Sequence, residues 1–302
     1  MDARVASYRD RLDDIHGWFG SQDLDLFDWF LSRQGQPGDL LEMGPYLGRS
    51  SVMLGYYVRE GEKLIVCDLW GADSGEERND VENAGYRRPL REAFEANYAR
   101  FHSLPPQVLQ RPTADLMAHV PETSLRLVHV DASHLYDRVK EDIATAKRLL
   151  QPEGILVCDD YRSPHTPGTA AAVWEAVLTS GLRPVCVSQQ KFYGTFGDPS
   201  PWLRALSANP PTGQSIDSQS VCGQETLLVS PTSRPGAAAL IAKVSSRSPR
   251  PVARMIVSAY LARRAPGWVL REPMLAAQLG SRSGVDFLRL LAEDSGRRAR
   301  RP

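Results

Sequence analysis

Short apolar runs recur along this chain at 39–43, 64–69, 107–110, 125–130, 154–158, 183–188 and 221–229, with helical or polar stretches between them. Several are apolar at nearly every position, which is the pattern of a strand buried on both faces. The intervening segments carry a different period. In 135–150, Leu135, Val139, Ile143, Ala146, Leu149 and Leu150 share one helical face, and Pro152-Glu153-Gly154 ends the helix. Strands of this length alternating with such helices predict an α/β fold with a doubly wound, mostly parallel, seven-stranded sheet. The last two runs depart from the alternation. Pro184–Phe196 and Val221–Ser230 are separated only by Gly197–Ser220, rich in Gly, Pro and Ser, and are expected as an antiparallel pair at the sheet edge.

Residues 3–34 are helically patterned and stop at Gln36-Pro37-Gly38, and after Pro231 the composition changes again. Three parts are therefore expected: a helical cap at 1–37, an α/β domain at 38–230, and a basic, partly helical extension at 231–302. Lys+Arg and Asp+Glu balance at 36 each, but the balance is uneven along the chain. From residue 230 onward 14 basic residues face 4 acidic ones, leaving 22 against 32 before it. Such asymmetry concerns partners rather than fold. Pro266-Gly267 interrupts the apolar stretch Met255–Leu270, against a membrane helix, and no aromatic residues interleave with the basic ones as RNA binding would favour. The extension is expected to dock on the acidic body or in a homo-oligomer; its partner is not identified by sequence.

No apolar run approaches membrane-spanning length, and the N-terminus lacks a secretory pattern, so a cytoplasmic protein is expected. Cys67, Cys158, Cys186 and Cys222 are widely spaced within apolar runs and are expected as buried, reduced thiols.

Candidate chemistry gathers at strand ends, where open parallel sheets bind ligands. Glu42-Met43-Gly44-Pro45-Tyr46-Leu47-Gly48-Arg49-Ser50-Ser51 gives an acid, a glycine turn and a helix start. Gly44 and Gly48 suit positive φ and close backbone approach, Ser50 and Ser51 a carboxylate or phosphate, and Glu42 an ammonium. Tyr46 lies within the turn. Asp68 ends the second strand, where an acid binds ribose hydroxyls. The turn lacks the Gly-x-Gly-x-x-Gly that a dinucleotide pyrophosphate requires. Asp131 ends the fourth strand and Asp159-Asp160 the fifth, so three carboxylates converge and call for a cation or protons between them. Magnesium suits such oxygen donors. His134 is the natural general base, with Asp131 as the alternative. Tyr161, His165 and Trp202 fall on loops toward the acceptor side, and acidic Gly71–Tyr86 is placed to act as a lid.

Leu41–Ser51, Cys67-Asp68-Leu69, Val128–Tyr136 and Pro152–Tyr161 together resemble the class I S-adenosylmethionine-dependent methyltransferases, in particular the branch with the macrocin-type sugar O-methyltransferases; cephalosporin-hydroxylase-like proteins are similar here too. The resemblance spans about residues 38–230. Ala132 replaces a usual glycine, and Pro152-Glu153-Gly154 a usual Pro-Gly-Gly. It implies a Rossmann-like methyltransferase fold, S-adenosylmethionine held by Glu42, Gly44, Tyr46, Gly48, Ser50, Ser51, Asp68 and Asp115, and Mg2+ held by Asp131, Asp159 and Asp160. The expected reaction is metal-assisted O-methylation of a sugar or glycosylated small molecule. A metal-free methyltransferase using His134, an NAD-dependent oxidoreductase and a non-catalytic cofactor-binding scaffold are the alternatives.

Overall fold

The structure, a computed structural model, describes residues 3–72 and 90–232. The basic extension and all but the first two residues of the acidic loop at 71–86 therefore lie outside the described residues. Five parallel strands form the centre of the sheet: β1 (Asp39–Met43), β2 (Leu64–Asp68), β3 (Gln107–Gln110), β4 (Leu125–Val130) and β5 (Leu150–Cys158). β6 (Arg183–Val187), β7 (Phe192–Thr195), β8 (Gln214–Val221) and β9 (Gln224–Pro231) extend it, giving the order β3-β2-β1-β4-β5-β7-β6-β9-β8. The mixed α/β architecture is the expected one, but the sheet has nine strands among the described residues.

The two extra strands come from the region read as one antiparallel pair. Residues 184–196 fold as a hairpin of their own, with β7 antiparallel to both β5 and β6. β8 and β9 form a second hairpin, attached through β9 parallel to β6. β8 escaped the apolar-run criterion because Gln214–Val221 (QSIDSQSV) is largely exposed. Cys222 forms the turn of that hairpin, with a positive φ of 52°, and is exposed, whereas Cys67, Cys158 and Cys186 are buried.

Helices cover both faces. α1 (Ala3–Arg9), α2 (Ser21–Leu31), α3 (Arg49–Gly55) and α4 (Arg91–Ala99) lie on one side; α5 (Tyr136–Leu149) and α6 (Pro167–Thr179) lie on the other. α7 (Ser200–Ala208) packs near β6 and β9. Strand alternation sorts the core: Leu40 joins Phe27, Phe30, Met53 and Phe94, while Leu41 and Met43 join Val139, Ile143 and Val173. The predicted helical prelude is broken into α1, a 3-10 turn at Leu12–Asp14, and α2, with 15–20 non-helical between them. No helix among the described residues is long and apolar enough to cross a membrane.

One buried cation fixes the edge of the sheet opposite the strand ends just discussed. Arg126 on β4 is 2% exposed and pairs with Glu62, itself 3% exposed, at 2.9 Å. Its guanidinium also donates to Gln34 Oε1 at 2.8 Å, Gly38 O at 3.1 Å and Tyr57 O at 2.5 Å. Burial acts to raise the Glu62 carboxyl, but the hydrogen bonds and charge of Arg126, together with the Gly38 and Arg59 N–H donors, hold the group below its ordinary range. Arg126→Met leaves Glu62 buried without its cation and is expected to cost about 3–5 kcal/mol of unfolding free energy, measured by urea denaturation. Arg126→Lys should recover only a small part, since an ammonium lacks the planar fork that reaches these acceptors. A shift under about 1 kcal/mol for Arg126→Met would show that the pair does not hold this edge.

Candidate active site

β1 leads into the turn that opens the site. Gly44 has φ +83°, and a Cβ there would lie 2.1 Å from the Asp131 carbonyl oxygen. Gly48 has φ +92°, and its Cβ would meet the Phe94 ring at 3.0 Å. Both glycines are therefore required by the protein's own packing, apart from any ligand. Tyr46 takes a left-handed backbone (φ 50°), and its N–H donates to Asp68 Oδ2 at 3.3 Å. Asp68 Oδ1 accepts from the Trp70 N–H at 2.8 Å, and Trp70 Nε1 donates to Tyr46 O at 3.1 Å. Burial pushes the Asp68 carboxyl up to about 6, with the backbone N–H donors of Trp70, Tyr46 and Leu69 acting against it.

Behind this turn lies a chain of buried polar groups. Glu42 is completely buried, and its two oxygens accept from the Ser50 and Ser51 hydroxyls. Glu42 Oε1 also lies 2.8 Å from His129 Nδ1. An ionised carboxylate only accepts, so Nδ1 carries the proton and Nε2 presents its lone pair. That lone pair faces Lys191 Nζ at 3.1 Å. Lys191, 1% exposed, is ion-paired with Asp159 Oδ2 and lies over the Phe19 ring at 5.7 Å. Burial alone would lower the Lys191 ammonium, but Asp159, Asp131 and Asp23 raise it further, so it is a fixed cation. Burial likewise acts to raise Asp159, and Lys191 overrides it, holding that carboxyl well below its usual range.

Lys191 arrives through strand pairing. Cys158 of β5 opposes Phe192 of β7, and Val157 opposes Tyr193. One step beyond the ladder, the antiparallel register sets Asp159 opposite Lys191. A tight turn presents it: Ser188 N–H donates to Lys191 O at 2.9 Å, and Ser188 Oγ accepts from Lys191 N–H at 2.8 Å.

The remaining carboxylates face the cavity. Asp131 is pushed up to about 7, first by burial and then by the charge of Asp159, with His134 and Lys191 opposing. Asp160 has a left-handed backbone (φ 52°), and its Oδ2 lies 2.9 Å from His134 Nε2. The same nitrogen is 3.9 Å from Asp131 Oδ1. The three acids predicted from sequence do converge, but between two side-chain bases, Lys191 and His134.

Whether this donor set suits a divalent ion is decided by those two. His129, Asp131 and Asp159 are the group whose ligand atoms come within 4.8 Å of one another, and Asp160 is not part of it. Both oxygens of Asp159 are already engaged: Oδ2 pairs with Lys191, and Oδ1 accepts the Asp160 N–H at 2.7 Å. A divalent ion about 4 Å from the ammonium would meet a repulsion of roughly 8 kcal/mol at an effective dielectric near 20, which offsets the attraction of about one of the three carboxylates. The expected Asp131-Asp159-Asp160 set is thus brought together with Lys191 already paired to one of its members.

A cavity of about 890 Å³ joins the two halves. Gly44, Tyr46, Ser50 and Asp68 line one side; Asp131, His134, Asp159 and Asp160 line the other. Glu42, Gly48, Ser51 and Asp115 stay outside its wall. Glu42 and Ser51 are sealed behind it by their mutual bond, and Asp115 is exposed beside Arg111 at 3.9 Å. His165 lines the cavity, whereas Tyr161 packs on Trp174 and Trp202 on Trp29 and Phe30.

Sequence reasoning missed the N-terminal wall. Segment 15–20 brings His16 and Trp18 against Tyr46, with ring centroids 5.9 and 5.5 Å away, and Trp18 remains 68% exposed. Arg49 anchors the segment by donating to Gly17 O at 2.6 Å. The glycines in Gly17-Trp18-Phe19-Gly20 were an available signal that the helix breaks there. His129, inside an apolar run, and Lys191, in the polar turn between β6 and β7, were also missed.

The methyltransferase-domain family model matches residues 41–161 of the chain. No curated protein sequence matches it. Among solved structures, the O-methyltransferase NovP is 18% identical, over 61% of this chain and 83% of that one, with a TM-score of 0.49. CalS11, a TDP-rhamnose 3'-O-methyltransferase of calicheamicin biosynthesis, is 20% identical over 58% and 78%, with a TM-score of 0.43. TomG from Streptomyces achromogenes, an O-methyltransferase of tomaymycin synthesis solved with SAM, is 17% identical over 66% and 91%, with a TM-score of 0.44. The match to the methyltransferase-domain model runs from the glycine turn to the carboxylates beyond β5, the stretch that supplies both sides of the cavity.

Proposed function

We propose that the chain is an S-adenosylmethionine-dependent O-methyltransferase, that its acceptor is a hydroxyl of a sugar or glycosylated small molecule, and that His134, held by Asp160, takes its proton. The observation that carries this reading is the opening of the glycine turn, Asp68 and the His134–Asp160 pair into one cavity. At about 890 Å³ it lies near the upper end of single-ligand pockets, leaving room for an acceptor beside the cofactor. Exposed Trp18 beside Tyr46 offers a flat apolar surface of the kind that sugar rings pack on.

S-adenosylmethionine supplies a methyl group on a positively charged sulfur, ready for in-line attack by an oxygen nucleophile. In this reading Asp68 accepts the ribose hydroxyls, and Gly44, Tyr46 and Ser50 border the remainder of the cofactor. Glu42, Gly48 and Ser51 act from behind by fixing the turn, and Asp115 has no direct part. The Asp160 carboxylate selects the Nε2–H tautomer of His134, leaving Nδ1 as the basic nitrogen. The acceptor proton passes to that nitrogen as the new carbon–oxygen bond forms and the carbon–sulfur bond breaks. Asp131, titrating near 7, is the second group able to take it.

Two measurements test the assignment. His134→Gln should lower kcat about 10²–10⁴-fold while the Kd for S-adenosylhomocysteine, by calorimetry, stays within about twofold. Equal loss of turnover and binding would remove His134 from the role of base. Asp68→Asn should instead weaken S-adenosylhomocysteine binding by about tenfold or more. Unchanged affinity there would place the ribose elsewhere.

A further inference from the structure

We propose that Lys191 is the resident cation of this active site: its ammonium stands where the carboxylates of β4 and β5 would otherwise hold a divalent metal, and it renders the site metal-free. The argument rests on placement. Lys191 Nζ is enclosed by Asp159 Oδ2, by His129 Nε2 at 3.1 Å and by the face of Phe19 at 5.7 Å. Asp159 and His129 belong to the trio whose donor atoms lie within 4.8 Å of one another, the third being Asp131. A carboxylate oxygen and an imidazole lone pair aimed at one buried point are what a metal would use, and the lysine uses both.

The placement is built by the fold. Ser188 closes the turn before β7, Gln22 of α2 accepts the Gln189 N–H at 3.0 Å, and Glu42 sets the His129 tautomer that leaves Nε2 open. Lys191 does not line the cavity, so it acts through Asp159 as a positioning residue. It keeps Asp159 ionised beside Asp131, the work a metal charge does in a cluster of acids. An ammonium carries one charge and no vacant coordination position, so the acceptor hydroxyl is oriented and deprotonated by His134, Asp160 and Asp131. The inference concerns the same site as the proposed methyl transfer, but its primary test does not depend on that reaction.

The test is Mn2+ and Mg2+ binding to the purified full chain, followed by calorimetry and by the Mn2+ electron paramagnetic resonance signal. Wild type should hold less than a tenth of an equivalent after dialysis and bind neither ion at millimolar concentration. Lys191→Met, checked for folding by circular dichroism, frees His129, Asp131 and Asp159 and should take up one Mn2+ at least about 100-fold more tightly than wild type. Adding Asp159→Asn to it should abolish that uptake. Lys191→Gln serves if the methionine variant does not fold; if neither folds, the wild-type measurement alone decides. In the assay, wild-type turnover should be indifferent to a chelator, while turnover lost in Lys191→Met should return in part with added Mg2+, a rescue that a purely structural lysine would not show. One tightly held equivalent in wild type would overturn the proposal. So would a folded neutral variant that binds no metal.

Discussion

The buried line from Glu42 through His129 and Lys191 to Asp159 is the constraint around which the site is organised. It crosses the sheet from β1 through β4 to the edge of β7, and each link fixes the next. Glu42 assigns the proton to His129 Nδ1, which leaves Nε2 to receive Lys191, and the lysine compensates Asp159. A buried charge without its partner is costly, so removing any member leaves the others strained. The same Glu42 carboxylate holds Ser50 and Ser51 at the start of α3, so the glycine turn and the carboxylate edge are mechanically one unit.

This arrangement separates two roles that share one kind of side chain. Asp159 is neutralised from within the protein and serves as a fixed counter-charge. Asp131 and Asp160 face the cavity, where one carboxyl is pushed to about 7 and the other orients His134. The backbone helps the division: the left-handed conformation at Asp160 sends two adjacent acids to different partners. Cofactor-side and acceptor-side chemistry then meet in one cavity, closed on the N-terminal side by the segment that carries His16 and Trp18.

Much of the fold could be read directly. β1, β2 and β4 were visible as apolar runs because a parallel strand buried on both faces has few polar positions to blur it. The helix at Tyr136–Leu149 was visible because one of its faces is buried and the other wet. The exposed strand β8 was not, since its pattern is set by pairing with β9 rather than by burial. Gly44 and Gly48 were located correctly, but the reason for them lies in contacts with Asp131 and Phe94 that no local pattern discloses.

By itself the sequence determined which residues end each central strand, and therefore that a glycine turn, an acid after β2, Asp131, His134 and Asp159-Asp160 share one sheet edge. Strand ends follow from local apolar runs, and parallel strands bring their carboxyl ends together wherever they lie in the order. Only the tertiary structure decided what neutralises those acids. Lys191 is 32 residues from Asp159 and reaches it through the antiparallel register of β7 on β5, and His129 looks from the sequence like one polar residue inside a buried strand. Charge compensation depends on distances of a few ångströms between distant segments, which register and burial fix and composition does not.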